Sequence, residues 1–96
     1  MAVLDNVKAA LRISHDELDD LLTTQIYTAK AEMIRSGMDE AVANDETNFL
    51  VTDAITTFCQ MRNADTIAES DRYETSWKYQ LDCLRKSFAQ EPEGGT

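Results

Sequence analysis

Any chemistry in this chain has to come from few side chains. It holds one histidine, His15, and two cysteines, Cys59 and Cys83. Titratable groups are densest where Asp16, Glu17, Asp19 and Asp20 follow His15. A metal site there needs ligands that converge, whereas neighbouring carboxylates on a helix splay around its axis. The cluster fits a helix start better, because negative charge complements the free amides of a first turn. Ser14-His15-Asp16-Glu17 reads as a capping box, with Ser14 as N-cap and Glu17 reaching back to its amide. The cysteines fall in predicted helices without metal-ligand spacing and are expected as reduced, buried thiols. No glycine-rich phosphate loop, CxxC, HExxH or GxSxG occurs, and one histidine does not build the usual triads or multi-histidine sites. The reading is a non-enzyme with no catalytic residue, no metal and no cofactor.

The elements that carry these residues are helical. A short first helix is predicted over residues 4–12, with Val3, Leu4, Val7, Ala10 and Leu11 on one side, and Ile13 leads into a break. A long second helix runs from the acidic cluster to Ser36, with Gly37 as the residue just past its end. Leu18, Leu21, Leu22, Ile26, Ala29 and Met33 form its main apolar stripe. Tyr27, Ala31 and Ile34 form a second stripe, roughly opposite Leu18 at about 100° per residue. A helix that is apolar on two sides is either sandwiched inside its own domain or contacts another chain.

Residues 38–46 read as a polar connector with one helical turn near Ala41 to Ala43. A third long helix is predicted over 47–64, where Leu50, Val51, Ala54, Ile55, Phe58, Cys59 and Met61 make the broad arc of a central core helix. Arg62 projects from the edge of that arc. It is read either as a snorkelling cation with a carboxylate partner or as a partner contact. Residues 65–71 read as a second connector. A last helix over 72–88 carries Tyr73, Trp77, Leu81, Leu84 and Phe88 on one side, with Trp77 expected in the core. The segment 89–96, with Pro92, Gly94 and Gly95, is expected to be a flexible tail. The fold class is thus all-α: a small bundle of four main helices, an extra short one near 38–43, a helical domain over 1–88 and a tail over 89–96.

Composition narrows the partners. Eighteen acidic against nine basic residues give a formal charge of −9 in 96 residues. Such a chain repels phosphates unless its cations cluster, and here they are scattered, several near helix C-termini. Sequence-specific DNA binding is not expected. No apolar run is long enough to cross a bilayer, and the N-terminus has no signal-peptide pattern. One domain of this size buries a modest core without disulfides or metal.

The opening tract resembles the phage head–tail connector family, also called adaptor or head-completion proteins. The resemblance rests on Val7-Lys8-Ala9-Ala10-Leu11-Arg12-Ile13, the acidic turn Ser14 to Asp20, and the long helix Leu21 to Ile34. Phe58-Cys59-Gln60-Met61-Arg62 and Leu81-Asp82-Cys83-Leu84-Arg85 are similar to later family segments, although Cys59 to Met61 replace an aromatic and an asparagine that often precede that arginine. The resemblance implies a structural virion subunit. It forms a ring, a dodecamer in the virion, under the portal vertex of a phage or prophage. It extends the DNA channel and links the capsid to a tail or stopper protein, with host cytoplasm as the place of assembly. DNA would pass without sequence-specific binding, and no membrane is involved. By position, Arg85, Lys86, Phe88 and the tail would dock on the portal. Tyr27, Ala31, Ile34 and Arg62 are the candidate subunit interface. The alternative is an acidic helical regulator, such as a DNA mimic that binds a basic partner.

Overall fold

A computed structural model describes residues 3–88, with side chains through residue 86. The tail expected over 89–96 lies outside the described residues. The chain is all-α, with five helices among those residues: α1 (Val3–Ala10), α2 (Asp19–Arg35), α3 (Glu40–Ala43), α4 (Phe49–Arg62) and α5 (Ile67–Phe88). The central helix is α4. Helices α1, α2 and α5 all pack on it, and α3 rests on α2.

The core follows from the apolar spacing. Val7, Leu22, Ala29, Met33, Val51, Ala54, Ile55 and Cys59 are fully buried, with Phe58, Trp77 and Leu84 nearly so. Burying an aliphatic side chain of this kind is worth about 1.5–3 kcal/mol, so this cluster is the main source of stability. The predicted stripes extend further than the burial does. Ala10, Leu18, Leu21 and Leu50 lie on the exposed side of their helices.

Helix α1 ends without glycine. Arg12 takes a left-handed conformation, φ 59°, Ile13 N donates to Lys8 O at 2.8 Å, and Arg12 N donates to Ala9 O at 3.1 Å. This is the Schellman pattern, which uses up the last carbonyls of the helix. Gly37, φ 111°, does the same for α2, where Met38 N donates to Met33 O at 3.1 Å and Gly37 N to Ile34 O at 3.0 Å. Met33 and Met38 are both buried, which supplies the apolar contact that accompanies this motif.

Two helix starts differ from the expectation. The Ser14 capping box does not form: α2 begins at Asp19, and Leu18 at its N-cap offers no side-chain bond. Lys8 Nζ is the physical reason, because it lies 2.9 Å from both Asp16 and Asp19 and ties this turn back to α1. The Glu17 amide donates to His15 Nδ1 at 3.3 Å instead. Conversely, the expected 65–71 connector is mostly helix. Thr66 Oγ1 accepts from Glu69 N at 3.1 Å, and Glu69 Oε1 accepts from Asp65 N at 3.3 Å. Thr66 is therefore the working N-cap, with Glu69 reaching back to the amide just before it, and α5 starts about one turn before Arg72.

Glu46 joins three elements. Its carboxylate accepts from Lys30 Nζ at 2.8 Å and from Val3 N at 3.3 Å, and its carbonyl accepts from Thr52 Oγ1 at 3.3 Å. The Lys30 hydrogen bond holds its carboxyl below the usual range. Asn63, at the end of α4, donates to Gln25 of α2 at 2.7 Å.

Candidate assembly surfaces

The second stripe of α2 faces outward. Tyr27 is 64% exposed and Ile34 37% exposed, with Ala31 exposed between them. Of the two readings of a doubly apolar helix, burial within the same domain is therefore excluded. The residues around the stripe make it smoother still. Thr24 and Thr28 hydroxyls donate to the carbonyls of Asp20 and Thr24, each at 3.0 Å, so their outward surface is largely methyl. From Leu21 to Ala29 the helix carries no charged residue. The Lys30 ammonium lies 5.9 Å from the Tyr27 ring centroid, which restrains the ring from one side.

Arg62 is not part of that stripe. Its guanidinium lies 5.0 Å from the Phe58 ring centroid, and Phe58 in turn meets Trp77 at 4.9 Å with planes tilted by 60°. No carboxylate pairs with Arg62 among the described residues. The stack sits on the seam between α4 and α5, where a cation over an aromatic face replaces the expected ion pair.

Arg85 and Lys86 share one acceptor. Asp82 takes Arg85 Nη2 at 2.8 Å and Lys86 Nζ at 3.0 Å, which lowers the Asp82 carboxyl below its ordinary range. The pair leaves one net positive charge on the exposed end of α5. The Phe88 side chain lies outside the described residues.

A further surface was not legible in the sequence. Leu50 and Asp53 of α4, with Tyr79, Gln80, Cys83 and Leu84 of α5, line a groove of about 210 Å³. Leu50 is 58% and Tyr79 71% exposed. Cys83 is exposed, contrary to the expectation of two buried thiols, because it falls one turn from Tyr79 on the outer side of α5. Cys59 is buried as expected, and burial pushes its thiol up to about 11. The spacing of Tyr79 and Cys83, at i and i+4, was the available signal. Among the described residues, no three His, Cys, Asp or Glu side chains come together to hold a metal. No described helix is long and apolar enough to cross a membrane.

The described surface is thus that of a helical domain with exposed apolar residues on α2 and on the α4–α5 seam. The chain belongs to the phage gp6-like head–tail connector proteins, whose family model matches residues 1–85. Proteins of this family are structural components of the phage particle at the junction of head and tail. No curated protein and no solved structure matches the chain.

Proposed function

We propose that this chain is a ring-forming subunit that sits under the portal vertex, extends the DNA channel and joins the capsid to the next tail or stopper protein. The observation that carries the reading is the outer face of α2, where Tyr27, Ala31 and Ile34 are left uncovered and no charged residue falls between Leu21 and Ala29, in a chain of formal charge −9. Copies so strongly charged repel one another, so contact between them is favoured where charge is absent. This face, with Arg62 at the edge of the α4–α5 seam, is the subunit interface. Arg85, Lys86 and Phe88, with the segment through Thr96, form the portal-docking end. The ring is a dodecamer in the virion, of phage or prophage origin, assembled in the host cytoplasm.

The acidic balance suits the conduit. Anionic walls do not hold phosphates, so DNA passes without sequence-specific binding. The role calls for no catalysis and no cofactor. A DNA mimic would instead present a continuous array of free carboxylates. Here Asp16, Asp19, Glu46 and Asp82 are engaged by Lys8, Lys30, Arg85 and Lys86.

Negative-stain electron microscopy of the protein, alone and mixed with its cognate portal, tests the proposal. Rings, or portal vertices decorated by the protein, are the expected result. A chain that stays monomeric with the portal and competes with DNA for a basic protein overturns it in favour of the mimic.

A further inference from the structure

Resting on that assembly reading, we infer that the interface is heterologous: the outer face of α2 in one copy seats in the α4–α5 groove of the next, antiparallel to α5. The two surfaces belong to different sides of the molecule. Helices α2 and α5 flank α4 without substantial contact between them. Asn63, which carries the bond to Gln25 of α2, lies about 140° around α4 from Leu50 at the groove, at 100° per residue. A face and a groove on separate sides cannot both be satisfied by one two-fold pair, whereas head-to-tail contact uses both and propagates into a ring.

The surfaces are also complementary in shape and kind. Thr24, Tyr27 and Ala31 alternate small and large side chains along the face, and the groove is rimmed by Leu50, Tyr79 and Cys83 over a buried Leu84. Helix ridges pack into such grooves. Gln80 Oε1 in the groove wall is covered and has no hydrogen-bond partner among the described residues. Once that amide turns outward, a donor from the arriving helix satisfies it.

Charge decides the direction. Helix α2 opens with Asp19 and Asp20 and closes with Arg35, while α5 has Glu69 in its first turn and Arg85 and Lys86 in its last. Antiparallel seating brings Asp20 to the basic end of α5 and Arg35 toward Glu69. Parallel seating sets like against like, which penalises the wrong orientation more than it sets affinity.

The groove contains its own reporter, the exposed Cys83. Cys59 is fully buried and stays silent. Thr24→Cys would be treated with a short bis-maleimide in the presence of the cognate portal, since a linker tolerates the geometry that a disulfide does not. A ladder of covalent dimers, trimers and larger species is expected. It should vanish in the Thr24→Cys, Cys83→Ser double variant and in the unmodified chain. Dimers that persist in the double variant mean that α2 faces pair with each other, and dimers of the unmodified chain mean that α5 faces do. Either result overturns the inference. Portal decoration without a ladder also overturns it while the connector reading stands. A ladder without decoration supports the interface and counts against the connector reading.

Discussion

Arg12 and Gly37 hold the same position in two helix ends. Each is the left-handed residue, φ 59° and 111° respectively, of a Schellman turn closing α1 or α2. Only glycine adopts such a conformation freely, and an L side chain there costs about 1–2 kcal/mol. Arg12→Gly is therefore expected to raise stability by about 0.5–1 kcal/mol, the relieved strain outweighing the greater entropy of an unfolded glycine. Gly37→Ala is expected to lower it by about 1–2 kcal/mol. A Cβ at residue 37 meets nothing within 4 Å, so that loss is backbone strain without a clash. Urea denaturation checks both, and equal effects at the two sites would refute the account.

The Glu46–Lys30 pair links stability to pH. Lys30, only 8% exposed, depends on Glu46 as its one carboxylate partner among the described residues. The Glu46 carboxyl is held below its ordinary value, chiefly by the Lys30 hydrogen bond. A depressed folded-state pKa contributes stability that is present above the unfolded value, about 4.3 for glutamate, and is lost as pH falls through the folded value. The melting temperature is thus expected to drop below about pH 4.5, more steeply in the parent than in Glu46→Gln. At neutral pH Glu46→Ala is expected to cost about 1–2 kcal/mol, between exposed and buried pairs because Glu46 is partly solvated. Lys30→Met is expected to cost less, since the Glu46 carboxylate it leaves behind is partly solvated, whereas Glu46→Ala strands the more buried Lys30 ammonium. Thermal melts of the variants from pH 3 to 7 decide it.

Much of the fold is written in the apolar spacing, and the failures have local causes. The core of α2 and α4 follows helical periodicity, and Gly37 marks its helix end. The Ser14 box and the Thr66 box carry the same S/T-x-x-E pattern. Only in the second does the hydroxyl cap a helix, because Lys8 holds Asp16 and Asp19 in the first. A long-range cation of that kind has no signature in a local motif. Arg12 is also invisible as a helix stop, since its residue type argues against a left-handed turn. The α2 stripe was legible as a second apolar side, but periodicity alone leaves open whether the domain covers it. The groove at Leu50, Tyr79 and Cys83 needed the pairing of α4 with α5, which no single-helix pattern contains.

The Phe58–Trp77 contact anchors α5 to α4. Trp77 is 6% exposed, and Trp77→Ala is expected to cost about 3–5 kcal/mol, a large share of the stability of a domain this size. Trp77→Phe keeps an apolar ring in the seam and should cost less. Arg62→Ala removes only the exposed cation over Phe58, at about 0.5–1 kcal/mol. Chemical denaturation followed by circular dichroism ranks the three, and a cost for Arg62→Ala near that of Trp77→Ala would show an ion pair or partner beyond this stack.

Substitutions on the proposed contact face of α2 are expected to separate assembly from folding. Tyr27 and Ile34 are exposed, and the Lys30 ammonium lies over one side of the Tyr27 ring at 5.9 Å. Tyr27→Asp or Ile34→Asp should therefore lower monomer stability by less than about 1 kcal/mol. In the assembled particle the same carboxylate would be buried in an apolar contact without a partner, and would add to the repulsion between copies of charge −9. Self-association is expected to weaken at least tenfold, read by sedimentation velocity or by portal decoration, while the thermal melt stays close to that of the parent. Lys78→Gln, on an exposed part of α5 where Lys78 pairs with Glu74 at 3.1 Å, makes the same change of one charge unit away from the stripe. If it weakens association as much as Tyr27→Asp does, the effect is one of net charge, and the α2 face is not the contact.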